Sequence, residues 1–160
     1  MGIMGSDKTV RSLLLEQLEG RNAHVDFSQA VQGLTFKQAG IRVEDVPHTI
    51  WELIEHIRIA QDDILEFCTN PEYKALDWPN DYWPEKSKPE TQEQFEASVQ
   101  AVQDGIEEMR ELIQDPQHDL QQPFSHGDGQ TLFREAMLLV DHNAYHIGQM
   151  VLIRRLLGSW

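Results

Sequence analysis

The chain has 160 residues and a formal net charge of −14, from 27 acidic against 13 basic side chains. That length supports one domain, residues 1–160, with a core of its own. The charge argues against nucleic acid, whose affinity comes from cations on phosphate, and against anionic membrane surfaces.

No apolar run is free of charge for the ~18 residues that a spanning helix needs. The opening Met1–Asp7 has neither the basic region nor the apolar core of a secretory signal. Cys68 is the only cysteine, so it has no internal disulfide partner. This suits a reducing cytoplasm and predicts a small packing residue rather than a nucleophile.

In chain order, Ser6 or Asp7 is placed to cap a first helix that ends at Glu19, with Gly20 just beyond it. Val10, Leu13, Leu14 and Leu18 supply its buried face. Arg21 to Pro47 is too long for a tight turn. Within it, Asp26 caps a short helix through Ala30 and Val31 that closes at Gly33, and Gly40 opens a connector over Ile41–Pro47. A long link here favours a bundle with a crossover connection.

Thr49-Ile50-Trp51-Glu52 fits a capping box and opens a second main helix that runs to about Phe67. Ile50, Leu53, Ile54, Ile57, Ile64 and Leu65 form its apolar face. His56 lies on the margin of that face and reads, taken alone, as a satisfied border residue. Glu52 is one turn before it and has two readings, as the cap partner of Thr49 or as a carboxylate beside a metal.

Thr69–Pro89 is a loop dense in proline and aromatics, including Trp78, Tyr82 and Trp83. Two roles fit it: a lid over a cleft, or a seal in which Trp78 and Trp83 close the core. Thr91-Gln92-Glu93-Gln94 reads as another capping box. The third helix follows, with Phe95, Val99, Val102, Ile106, Met109 and Ile113 on one face and Pro116 as its stop. A second loop, Gln117–Asp128, carries His118 and His126, both expected to be solvated.

The last helix, capped by Asp128 or Thr131 and closed by Gly158, holds the densest polar motif, Asp141-His142-Asn143-Ala144-Tyr145-His146-Ile147-Gly148-Gln149. At ~100° and ~1.5 Å per residue, His142 and His146 are stacked one turn apart, and Gln149 continues their stripe. Such a pair can share a metal, although the spacing alone does not separate that from two packed histidines. The zinc-protease motif is excluded, because Asn143 stands where that motif has its glutamate base. Phe133, Met137, Val140, Ala144, Ile147 and Val151 form an apolar seam, with Leu138, Leu139, Ile153 and Leu156 beside the histidines. A helix apolar on several sides is buried on more than one, which predicts a subunit contact and a homodimer.

Four main helices without a strand pattern predict an all-α, antiparallel-type four-helix bundle with long first and second connections. The chain also resembles the DinB-like (DinB/YfiT) family of metal-binding helical proteins. The resemblance rests on Pro47-His48-Thr49-Ile50-Trp51-Glu52-Leu53-Ile54-Glu55-His56, on the Trp-Pro and Tyr82-Trp83-Pro84 loop, on Asp141–Gln149, and on the closing Arg154-Arg155-Leu156-Leu157-Gly158-Ser159-Trp160. It implies a divalent metal (zinc, nickel or iron) held by His56, His142 and His146.

The family includes thiol-dependent S-transferases and isomerases, so the resemblance implies a metal-dependent transfer of a low-molecular-weight thiol to a small electrophile. A metal-dependent hydrolase is the alternative, with Glu52 or Asp141 as the only nearby bases. A non-catalytic metal or small-ligand binding protein is a third reading. His24, His48 and Tyr145 are expected to pack or to support the site from outside the ligand set.

Overall fold

A computed structural model describes residues 3–20 and 23–160. Its main helices are α1 (Ile3–Glu19), α4 (Ile50–Thr69), α5 (Gln92–Gln114) and α6 (Leu132–Leu156). Two short helices, α2 (Phe27–Val31) and α3 (Phe36–Ala39), occupy the first connection. Among the described residues there is no strand, only an isolated bridge between Pro123 and Thr131. Nor is any described helix long and apolar enough to cross a membrane. The fold is an all-α helical bundle.

Local chemistry sets most of the boundaries. Asp26 and Gln29 form a reciprocal capping box on α2, as Thr49 and Glu52 do on α4. Thr35 and Gln38 do the same for α3, a helix in the stretch between Gly33 and Gly40 to which the sequence pattern assigns no element. At α5 the expected box is only half formed. Thr91 accepts from the Gln94 amide, but the Gln94 side chain accepts from Glu90 N–H at 2.7 Å instead of from Thr91. Thr131, not Asp128, caps α6.

Helix α1 begins at Ile3, earlier than a cap at Ser6 or Asp7 would place it. Asp7 lies inside the helix, where its carboxylate pairs with Arg11 one turn on, at 2.8 Å. Arg11 also donates to the carbonyls of Ile113 and Asp115, closing the end of α5. Met1, Gly2, Arg21 and Asn22 lie outside the described residues.

The packing shows how the helices run. Phe95 and Val102 of α5 share a core cluster with Ile50, Leu53, Ile54 and Ile57 of α4, while Met109 and Ile113 share a second cluster with Ile64 and Leu65. Helices α4 and α5 are therefore parallel. Ile147, Met150 and Ile153 of α6 meet the first cluster and Leu132, Ala136 and Leu139 the second, so α6 is antiparallel to both. This corrects the simple antiparallel expectation and moves the crossover. It is the α4–α5 connection that must return along the length of α4, about 30 Å at 1.5 Å per residue.

Helix α6 also sits at a different rotation from the expected seam. Leu132, Ala136, Leu139, Asn143, Ile147, Met150 and Ile153 are buried, whereas Phe133 and Met137 are exposed. Apolar residues on several sides leave the rotation undetermined by pattern alone. Buried polar anchors fix it: Asn143 bonds to Gln61 of α4 and Arg154 to the Ala30 carbonyl of α2.

Candidate metal centre

The middle of α4 faces the middle of α6, and three imidazoles meet there. His56 is 2% exposed, and so lies in the interior rather than on the margin of its helix. Its Nε2 is 3.0 Å from His142 Nε2. Ring centroids of the trio are 4.5–4.8 Å apart. One nitrogen from each of His56, His142 and His146 lies within 4.8 Å of the others.

The outer nitrogens set the orientation of two rings. His56 Nδ1–H donates to the Tyr82 backbone carbonyl at 2.7 Å, leaving Nε2 as a bare lone pair. His146 Nδ1–H donates to Gln149 Oε1 at 2.7 Å, one helical turn away, and frees its own Nε2. His142 has no such partner, because its Nδ1 is buried without a hydrogen bond. If His142 Nε2 carries the proton and donates to His56, Nδ1 is an orphaned acceptor. If Nδ1 carries it, Nδ1–H is an orphaned donor and two lone pairs face each other at 3.0 Å. Protein groups alone leave this cluster unsatisfied in either tautomer, and a cation that takes the Nε2 lone pairs relieves the facing contact.

The electrostatics agree. Burial, helped by the neighbouring His146 and His56, pushes His142 down to about 4. Burial likewise takes His146 to about 4, against the hydrogen bond it donates to Gln149. His56 is lowered by burial, partly offset by the Tyr82 carbonyl. All three are neutral near pH 7, the state a metal ligand must have.

The crossover loop covers one side of the cluster. Trp83 stacks flat on His56, with centroids 3.9 Å apart and planes 3° apart, and His48 stacks on Trp83 at 4.1 Å. The indole is thus held between two imidazoles, and of the two proposed sealing tryptophans only Trp83 packs on the core. Trp78, after which the peptide bond to Pro79 is cis, is 67% exposed and seals nothing.

The sequence model of the DinB superfamily matches residues 20–150. The chain belongs to the DinB superfamily. No curated protein and no solved structure matches it. The matched span contains all three histidines of the cluster, and the trio of this DinB protein is able to hold a divalent cation.

Neither carboxylate weighed as a base joins the cluster. Glu52 accepts the Thr49 amide through Oε2 at 2.7 Å and Arg42 through Oε1 at 2.8 Å, so both oxygens are engaged. Asp141 is exposed, about 100° around α6 from His142. Cys68 is half-buried, and burial, with the charges of Glu135 and Glu108 behind it, pushes its thiol up to about 12. It stays protonated and packs. His24 is exposed and donates its Nδ1–H to the adjacent Val25 carbonyl, His118 is exposed, and Tyr145 is 66% exposed with its ring edge-on to His146. His126 is not free in solvent: its Nε2 donates to the Phe67 carbonyl at 2.8 Å.

Sequence reasoning missed the Tyr82 carbonyl, which no side-chain pattern signals. It also passed over Gln61, although a glutamine inside the apolar stripe of α4, between Ile57 and Ile64, was a readable anomaly.

Proposed function

We propose that this DinB protein is a metal-dependent enzyme that transfers a low-molecular-weight thiol to a small electrophile, with zinc, nickel or iron held by His56, His142 and His146. The observation that carries this reading is an all-imidazole donor set that neither Glu52 nor Asp141 joins. Hydrolysis assisted by a carboxylate general base is disfavoured, because both candidates lie outside the cluster. A thiol does not need one: a bound cation would lower the pKa of a coordinated thiol far enough to deprotonate it.

The protein's own residues set the scene for that chemistry. His56, His142 and His146 supply three neutral donors and leave further positions for an incoming group. Trp83 walls one side against water. In the transfer, sulfur donates an electron pair to carbon and a C–S bond forms. The bond to the leaving group breaks with its electrons going to that group, and the thiol proton passes to water. The sulfur comes from outside, since Cys68 is protonated and packed. A cytoplasmic setting supplies such thiols. The exposed Phe133, Met137, Tyr145, Leu152 and Leu156 of α6 support pairing with a second copy, which sedimentation at two concentrations tests.

The test is turnover of a model electrophile with several small thiols by the metal-loaded protein and by His142→Ala. A metal-dependent rate lost in the variant supports the proposal. No metal-dependent rate with any thiol overturns it.

A further inference from the structure

Helix α4 presents a second functional side chain two turns after His56. Asp63 accepts two phenol hydrogen bonds on one carboxylate, from Tyr73 to Oδ1 at 2.8 Å and from Tyr82 to Oδ2 at 2.6 Å. Both phenols are pushed up by burial first and then by their bonds to Asp63, so they remain protonated donors. Tyr82 is also the residue whose backbone carbonyl receives His56 Nδ1–H, and the next residue, Trp83, covers the face of the same ring. His56 and Asp63 are seven residues apart, so they share one face of α4, and the loop is tied down at both points.

We propose that Asp63 is a positioning residue for the metal centre: by anchoring the Tyr82 phenol, it holds the Tyr82 carbonyl and the Trp83 indole against His56. That anchor fixes His56 as the Nδ1–H tautomer with Nε2 turned toward His142 and His146. The inference rests on reading the three histidines as metal ligands, but its mechanism begins one step earlier, at the orientation of one ring. Asp63 itself touches no ligand and no substrate.

Tyr73 supplies an internal control. It donates to the same carboxylate and lies on the same loop, yet its backbone does not contact His56. If Asp63 merely stabilises the loop, losing either phenol should have the same effect.

The experiment compares Tyr82→Phe, Asp63→Asn and Tyr73→Phe with the wild type, each verified as folded by circular dichroism. Two quantities are read: cobalt(II) affinity, from competition with a chelator followed by the visible cobalt spectrum, and the His56 tautomer in metal-free protein, from long-range proton–nitrogen NMR. Tyr82→Phe and Asp63→Asn are expected to weaken cobalt binding about tenfold, the lower end of the usual effect of an outer-sphere partner, and to mix the His56 tautomers. Tyr73→Phe is expected to stay within about twofold of wild type, a small fraction of that effect.

Equal losses in the two tyrosine variants, or wild-type tautomers in Tyr82→Phe and Asp63→Asn, overturn the inference. A wild type that binds no cobalt, with the tautomer still shifting as expected, overturns the metal reading and leaves the positioning of His56 standing.

Discussion

Asn143 donates its side-chain amide to Gln61 Oε1 at 2.6 Å, across the buried contact between α6 and α4. Gln61 donates onward to the Val102 carbonyl of α5 at 3.0 Å, so one short polar chain links three helices. Asn143 follows His142 directly, and Gln61 follows His56 by five residues. The link therefore fixes the rotation of α4 and α6 close to where their histidines meet.

The first expectation concerns that link. Gln61→Leu strands both ends of the Asn143 amide, because Asn143 Oδ1 already has no partner. Asn143→Leu strands only Gln61 Oε1 and removes the orphan. Each should destabilise by about 1–3 kcal/mol, with Gln61→Leu the worse, and the double variant should cost less than the sum. Urea unfolding of the four proteins measures this. Equal single effects that add would contradict it.

Gly105 on α5 owes its lack of a side chain to the same contact. A Cβ there would stand 2.6 Å from Gln61 Nε2, an amide that cannot swing away without losing Val102. Gly105→Ala should therefore lower stability, although alanine is the better helix former by roughly 1 kcal/mol. In a Gln61→Ala background the same change should raise stability. Thermal melts of both pairs decide the sign.

Arg154 is 7% exposed and joins distant parts of the chain. Its Nη1 donates to the Ala30 carbonyl of α2 at 2.8 Å, and Nε and Nη2 donate to the Ser159 carbonyl beyond the end of α6. Arg154→Leu leaves two carbonyls without this donor and should cost about 2–4 kcal/mol. Arg154→Lys should recover little of that, since one ammonium does not span both acceptors in the manner of the guanidinium fork.

Acid should act through the histidines. His142 and His146 titrate near 6.5 when unfolded and at about 4 when folded. Between those values the unfolded chain binds more protons. Metal-free protein should thus hold these contributions to stability fully above about pH 6.5 and lose them as the pH falls toward 4. His142→Asn with His146→Asn should flatten that slope in thermal melts run from pH 7.5 to 4.5. Metal affinity should persist below pH 6, because protons compete only weakly for such depressed sites.

Loading the site should raise the melting temperature. A cation at 100 times its Kd adds about 2.7 kcal/mol to the stability of the folded state. Nickel, zinc and ferrous iron can be ranked by the rise each produces over chelator-treated protein, and His56→Ala, His142→Ala and His146→Ala should each remove most of it. A rise that survives in all three variants would place the cation elsewhere.

Much of this was legible in the sequence, for identifiable reasons. Thr49 and Glu52 announce α4 because a capping box is a contact within one turn, and the same holds for Asp26 at α2. His142 and His146 can be paired by eye because helical spacing is local. His56 lies 86 residues from His142, and its burial depends on which way α4 turns. Only the family resemblance singled it out.

The rotation of α6 escaped because Phe133 and Met137 look as fit for the interior as Leu132 and Ala136. What selects between them is hydrogen bonding to other helices. The parallel course of α4 and α5 escaped for a related reason: a long loop does not say in which direction it ends.

That distance along the chain has a consequence for biosynthesis. His56 leaves the ribosome some ninety residues before His146, and its two companions do not exist while α4 is being made. A nascent chain that ends before α6 cannot assemble the trio. A cation held by the trio would meet it only once the last helix has docked, so any choice of metal would fall to the finished protein and to the ions then at hand.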